Sequence, residues 1–354
     1  MRVVHRLIAA FVASLVPLVV CGPVGASALA GPLASFQLQL DAFTMRAPGH
    51  VALEVQDVAT GTTTGINESA EMPAASTIKI PVMVEVFRQL GLGRFDLNTS
   101  VHLEAADRDW GWGELCNARA GNGYAVSALL ALMIDESDNT ATNMLIRLVG
   151  RQPNNATMRR LGLSHTHLTD FIRSNGPIRW ALRSSPADMT RLLSEMAKEQ
   201  LIDAWSSRAM IAILERQHHN SLLPEPLPPS THIAHKTGTL HDTLNDVGIV
   251  YEGAEPYVIA VMTTDLPDLD SGRIFIRGIS RMAYSALGRF TAWRGANDLD
   301  PSSSNATTSA ALPADLQMWT PGEGTSAAPA DATPTAPDEA SSPAPQPTPD
   351  PQAT

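Results

Sequence analysis

Three short motifs in this chain carry side chains suited to acyl-transfer chemistry. Ser76 precedes Lys79 by three residues in Ala74-Ala75-Ser76-Thr77-Ile78-Lys79-Ile80-Pro81-Val82. If Ser76 opens a helix, the two side chains share one face about a turn apart, and the amine can reach the hydroxyl. A hydroxyl is a weak nucleophile at neutral pH until a base takes its proton, and a lysine is that base only when part of it is neutral. Burial or a second nearby cation lowers a lysine pKa in that direction. The chain has only three lysines, Lys79, Lys198 and Lys236, and the last opens Lys236-Thr237-Gly238-Thr239. Ser137-Asp138-Asn139 lies between the first and last of them. Taken singly, Ser76 could cap a helix and Asn139 could satisfy a turn. Taken together, they offer two amines and two hydroxyls from distant parts of the chain.

The elements that must position these groups follow from pattern. Val51 to Asp57 is rich in strand formers and ends at Thr60-Gly61, and Thr62 to Asn67 reads as the return arm of a hairpin. A helix is expected from Ser76 to about Gln89, ending at Gly91. Pro81 would delete one of its backbone bonds, so the first turn is expected to be irregular, with free N–H groups beside Ser76. Asp109-Trp110-Gly111-Trp112-Gly113 reads as a loop whose tryptophans pack into the core, with a cleft wall as the other reading. Ser127 is expected to cap a helix carrying Leu129, Leu130, Leu132, Met133 and Ile134 that breaks at Ser137-Asp138-Asn139. A second helix runs from Thr140 to Val149 and stops at Gly150.

Ser185-Pro186-Ala187-Asp188 has the cap, the proline and the early acid of a helix start. Trp205 to Leu214 suggests another helix, and the proline-rich Leu222 to Pro229 ends the helical section. Three strands follow, His232 to Leu240, Asp246 to Glu252 and Tyr257 to Thr264, the last two joined at Gly253-Ala254-Glu255-Pro256. Ile274 to Leu287 closes the body as a helix. Two strands early and three late, with helices between, imply an α+β fold: one antiparallel sheet built from both ends of the chain, and a helical lobe.

The ends differ from the body. Met1 to Ala30 reads as a secretory signal, with Arg2 and Arg6, an apolar run from Leu7 to Val20 and a small-x-small site at Ala28-Leu29-Ala30. A secreted or periplasmic protein cut after Ala30 is therefore expected. Lipoprotein processing at Cys21 is the lesser reading, because Val20 is bulky where a small residue is needed. After that cut Cys116 is the only cysteine, so no intramolecular disulfide can form. The net charge is −11, and the eight acids from Asp298 onward, with no lysine or arginine among them, leave −3 for the rest. Neither part suggests nucleic-acid binding.

Residues 301–354 are rich in Pro, Ala, Ser and Thr and read as a disordered tail, either a wall-facing spacer or an inert extension. His165-x-His167 and His218-His219 lack carboxylate or cysteine partners at ligand spacing, so no metal is expected, and no cofactor motif is present. A monomer is expected.

The ordered set Ser-x-x-Lys, Ser-Asp-Asn, Lys-Thr-Gly resembles that of the class A β-lactamases, among the penicillin-recognising serine hydrolases. The likeness covers roughly Phe36 to Trp293, with 61 residues from Ser76 to Ser137 and 99 from Ser137 to Lys236. Met133-Ile134, Thr140-Ala141-Thr142-Asn143, Ser185 to Met189 and Ile233-Ala234-His235 look like family positions too. The resemblance implies a β-lactamase/transpeptidase-like fold: a five-stranded antiparallel sheet flanked by helices in three layers, plus an all-α lobe. The α/β lobe would comprise residues 31–75 and 225–300, the helical lobe residues 76–224, with the site at their seam.

It also implies roles. Ser76 would be the acylated nucleophile and Lys79 its proton acceptor. Ser137 would relay a proton to the leaving nitrogen, and Asn139 would bond Lys79 and the substrate amide. Lys236 and Thr237 would hold the substrate carboxylate. The N–H groups of Ser76 and Thr239 would form an oxyanion hole, and Gly238 would permit close approach of the substrate. The implied substrate is a β-lactam or an acyl-D-Ala-D-Ala-like peptide, with peptidoglycan as a further partner.

One departure stands out. Class A β-lactamases carry a Glu-x-x-Leu-Asn loop whose glutamate activates the water that frees the acyl-enzyme, and no glutamate occurs between Leu168 and Ser184 here. Ile172 takes its place, and Asp170 is the nearby candidate substitute. Three functions stay open: a slow β-lactamase, a D-Ala-D-Ala-type peptidase or esterase, and a non-catalytic cell-wall binder.

Overall fold

A computed structural model describes residues 31–174, 181–252 and 255–297. The signal-like segment, the tail and the Gly253-Ala254 link expected from sequence lie outside them. In the first part of the chain, α1 (Pro32–Thr44) precedes the hairpin β1 (His50–Asp57) and β2 (Thr63–Ile66), then the short β3 (Met72–Pro73). A 3₁₀ turn over Ala75–Ile78 leads into α2 (Lys79–Gly91). The small pair β4 (Ser100–His102) and β5 (Gly123–Ala125) comes next, followed by α3 (Val126–Ile134), α4 (Asn139–Val149) and α5 (Arg151–Arg160). Then β6 (His167–Leu168) and β7 (Leu182–Ser184) form a three-stranded sheet with β3. The chain continues through α6 (Pro186–Ala197), α7 (Ala204–Leu214), β8 (His232–Leu240), β9 (Thr243–Glu252), β10 (Glu255–Thr264) and α8 (Leu269–Ala296).

The main sheet has the order β2-β1-β10-β9-β8 and is antiparallel throughout. Its two halves come from opposite ends of the chain and join where Leu53 of β1 faces Val261 of β10. Because side chains alternate along a strand, the central strands feed two cores. Val51, Leu53, Val55, Tyr257, Ile259 and Val261 pack with Phe36 of α1 and Phe275, Ile276 and Ile279 of α8. Ala52, Val258, Ala260 and Met262 face the other way, onto Met189, Leu192, Leu193 and Met196 of α6 and the helical core beyond. Each fully buried aliphatic side chain stabilises the fold by about 1.5–3 kcal/mol relative to exposure, so strands buried on both faces anchor the whole arrangement. The result is a three-layer α+β sandwich with a helical lobe.

Local chemistry departs from the sequence expectations in three places. Ser127 is not a cap: α3 starts one residue earlier, its N-cap is Ala125, and no side chain caps it. The cap that matters is Asp138, whose Oδ1 accepts from the Ala141 N–H at 2.8 Å to start α4. α6, grouped by its place in the chain with the helical lobe, packs directly on the sheet. At the far end, Arg294 in the last turn of α8 is 1 % exposed and pairs with Asp57 at 3.3 Å and with Glu255, tying the C-terminal helix to the end that β1 and β10 share.

Candidate active site

The Ser76 turn is shaped by the segment before it. Ala75 sits in the left-handed region at φ 48°, which costs a non-glycine residue about 1–3 kcal/mol and persists only where neighbours enforce it. Asn245 of β9 is one enforcer, donating its amide to Pro73 O at 2.8 Å and Ala74 O at 3.1 Å. Thr77 Oγ1 adds a bond to Ala74 O at 2.7 Å. The α-helix begins only at Lys79, which makes Pro81 its third residue. An N–H at that position has no intrahelical acceptor, so the proline deletes nothing. The irregular first turn expected from Pro81 is the 3₁₀ turn carrying Ser76.

Two buried amines meet on one hydroxyl. Lys79 Nζ donates to Ser137 O at 2.5 Å and Asn139 Oδ1 at 2.8 Å, and lies 3.0 Å from Ser137 Oγ. Lys236 Nζ lies 3.0 Å from the same Oγ and 3.2 Å from Thr237 O. Burial, then the charge of Lys236, holds Lys79 well below the ordinary lysine range, against the opposing pull of Asp138 and Asp109. Burial pushes Lys236 down to about 7, with Asp246 and Asp135 pulling the other way. A neutral amine has two hydrogens and one lone pair. A neutral Lys79 can serve only two of its three oxygen contacts, which leaves its lone pair to take up a proton while Lys236 donates to Ser137 Oγ. Ser137 reaches this position through its own left-handed backbone, φ 59°.

The direct Ser76–Lys79 bond expected from the spacing is not formed among the described residues. The Lys79 amine is taken up by Ser137 and Asn139 instead. Catalytic hydrogen bonds commonly tighten only when substrate arrives. Ser76 is half-buried on its turn, close to β8. A side-chain carbon at Gly238 would lie 3.0 Å from Ala74 O, Ala75 Cβ and Ser76 N, so only glycine lets the strand approach so closely. β8 is an edge strand of the sheet, so its outer N–H groups are unused by the ladder and face the turn side. Thr237 is buried beside Lys236, and Thr239 is exposed at the open end.

A second layer of polar residues went unread in the sequence. Asn139 Nδ2 donates to Asp109 Oδ1 at 2.8 Å. Asp109 also accepts from Ser174 N at 2.6 Å, Ser174 Oγ at 2.5 Å and Gly111 N at 3.0 Å. Burial alone would raise this carboxyl, but the hydrogen bonds from Ser174, Asn139 and Gly111 hold it below the ordinary range. Behind Lys236, buried His235 contacts Asp246 Oδ1 at 2.9 Å and Asn220 Oδ1 at 2.9 Å. Asn245-Asp246, a polar pair inside an otherwise apolar strand, was the sequence signal for these contacts.

The loop that should carry a water-activating glutamate carries Ile172. Its side chain is buried, and its backbone is clamped by Asn143, which accepts from Ile172 N at 2.7 Å and donates to Ile172 O at 3.0 Å. Asp170 is no substitute, because it is exposed and pairs with Arg151 at 3.3 Å. The tryptophans correct the core-packing expectation: Trp110 and Trp112 are 61 % and 54 % exposed. Trp112 Nε1 donates to Glu136 O at 3.0 Å, its ring meets His219 edge-on, and its carbonyl accepts from Asn139 N. Trp112 therefore belongs to the site wall. His165 lies beside Asp188, His167 beside Glu71 and His218 beside Glu136. Among the described residues no group of three His, Cys, Asp or Glu is placed to hold a metal ion.

A half-buried serine on a tight turn, two depressed amines and an edge strand at the junction of a sheet and a helical lobe define an active-site serine hydrolase. The chain belongs to the Beta-lactamase enzyme family, whose sequence model matches residues 35–287. A Beta-lactamase of Streptomyces fradiae is 27 % identical over 243 residues, 65 % of this chain and 79 % of the relative. Among solved structures, PBP-A is 30 % identical with a TM-score of 0.68, covering 73 % of this chain and 97 % of that one. A leucine-to-glutamate mutant of PBP-A is known as an acyl-enzyme complex with penicillin G. A β-lactamase from Sphaerobacter thermophilus is 31 % identical with a TM-score of 0.66, covering 72 % and 96 %.

Proposed function

We propose that this protein is an exported serine hydrolase acylated at Ser76 by β-lactams, which it then hydrolyses slowly. The observation that carries the proposal is the convergence of Lys79 and Lys236 on Ser137 Oγ, each at 3.0 Å, beside the Ser76 turn. Ser76 Oγ attacks the lactam carbonyl carbon and its proton passes to Lys79. The lactam C–N bond then breaks, Ser137 hands its hydroxyl proton to the leaving nitrogen, and the proton on Lys79 replaces it. Lys236 and Thr237 take the substrate carboxylate and Asn139 its side-chain amide. The N–H groups of Ser76 and Thr239 receive the developing oxyanion, where one donor is worth about 3–4 kcal/mol.

Release of the acyl group needs an activated water. Ile172 offers no base and Asp170 faces solvent, which supports slow release. The same observation favours a second reading, a D-Ala-D-Ala-type peptidase or esterase acting on cell-wall peptide with the same acylation residues.

Intact-protein mass spectrometry with benzylpenicillin, run beside steady-state nitrocefin hydrolysis, tests both readings. One covalent adduct, absent in Ser76→Ala, together with measurable nitrocefin turnover is the expected result. An adduct with no turnover, accompanied by cleavage of an acyl-D-alanyl-D-alanine ester, shifts the assignment to the peptidase. If no adduct forms, both readings fail.

A further inference from the structure

A cavity of about 310 Å³ lies between β1 and α6 and shares no lining residue with the Ser76 site. Glu54 of β1 forms part of its wall. It is only 8 % exposed, and its Oε2 accepts the Thr190 hydroxyl at 2.8 Å. Among the described residues no cation pairs with it. Burial raises its carboxyl above the ordinary range; the Thr190 bond opposes this, while the charges of Glu68 and Asp188 add to it.

Two further polar residues line the cavity. Ser194 is 2 % exposed, and its Oγ has no hydrogen-bond partner among the described residues. The Oε1 of Gln56 is buried and likewise without one. Buried polar atoms are rarely left unpaired in a native fold, and each orphan calls for an explanation. Arg191 and Lys198 line the same cavity, on the face of α6 that carries Ser194 by its i, i+3, i+4 and i+7 spacing. Arg191 is exposed, and it also lies against Gly162 on the rim.

The charge layout selects the occupant. A bare anion would meet Glu54 and Asp188, and the metal-ligand sets needed for a divalent ion are missing among the described residues. Glu54 offers its carboxylate to an ammonium, which donates hydrogen bonds and accepts none. Arg191 and Lys198 are placed for a carboxylate. We propose that this cavity is a second binding site, which takes a small zwitterion of amino-acid or dipeptide size with its ammonium on Glu54 and its carboxylate toward Arg191. The volume lies at the low end for small-molecule pockets and suits a ligand of that size.

Isothermal titration calorimetry on the full chain tests this, with glycine, D-alanine, L-alanine and glycylglycine as probes and methylammonium and acetate as half-ligands. Saturable binding of at least one zwitterion is expected, weakened at least about tenfold by Glu54→Gln and by Arg191→Ala. Both variants are expected to form the benzylpenicillin adduct at the unaltered rate, which separates this site from the reading of Ser76. Glu54→Gln removes a buried charge and Arg191→Ala changes an exposed residue, so both should fold. Should Glu54→Gln fail to fold, Arg191→Ala and Lys198→Ala carry the test. Absence of binding by every zwitterion, binding indifferent to these substitutions, or methylammonium binding as tightly as the zwitterions would each overturn the proposal.

Discussion

Lys79 can accept a proton only because its amine is buried and Lys236 stands behind the same hydroxyl. Replacing Lys79 by alanine should slow adduct formation by roughly 10²- to 10⁴-fold, the usual worth of a positioned general base, as read by stopped-flow acylation with nitrocefin. Ile172→Glu should act on the opposite half of the cycle: it puts a carboxylate where the loop has none, and the lifetime of the penicillin adduct, followed by mass spectrometry, should shorten. The motif residues were legible because acyl transfer needs those residue types at those short spacings. Asp109 and Ser174 were not legible. They lie 65 residues apart, and each alone reads as an ordinary loop residue, so their 2.5 Å contact is a product of the fold. The missing Ser76–Lys79 bond shows the limit of spacing arguments, since i and i+3 proximity cannot reveal which oxygens compete for the amine.

At the scale of elements, the site depends on how closely β8 approaches the Ser76 turn. Gly238→Ala should force the strand outward and lower the acylation rate on the order of 10²-fold, as ångström-scale misplacement does, with far-ultraviolet circular dichroism unchanged. Asn245→Ala removes the two bonds that hold Pro73 and Ala74, and also the acceptor of the Thr263 N–H. It should destabilise the protein by roughly 2–4 kcal/mol in urea titrations. The three late strands and the helices at α4, α6 and α7 could be read from periodicity and caps. α5 could not. Arg151-Gln152-Pro153-Asn154-Asn155-Ala156-Thr157-Met158 has no apolar stripe, and the helix docks instead through Thr157, whose hydroxyl bonds the buried Glu85 of α2 at 2.6 Å. The tryptophan loop departs from expectation for a related reason: aromatic residues signal burial by default, and only the fold shows Trp112 set against Glu136 and His219.

For the molecule as a whole, two depressed lysines make stability depend on pH in a definite direction. Lys236 titrates near 7 in the folded chain against an ordinary 10.5. Between those values the unfolded chain binds a proton that the folded chain has shed, so stability rises with pH through the window and is penalised in full below it. Lys79 is shifted the same way and adds to the slope. Urea midpoints measured from pH 6.5 to 10 should therefore climb, and Lys236→Met should flatten the climb. A curve for the native chain that falls over this range would contradict the burial of both amines.

The pairing of residues 50–57 with residues 257–264 also bears on when the protein becomes reactive. A nascent chain that has emerged only through α7 already contains Ser76, Lys79 and Ser137, yet it has neither Lys236 nor the Asn245 amide that sets the serine turn. Such a chain would be chemically mute toward a β-lactam encountered during synthesis. Reactivity would then switch on late and all at once, when the final third of the polypeptide closes the sheet.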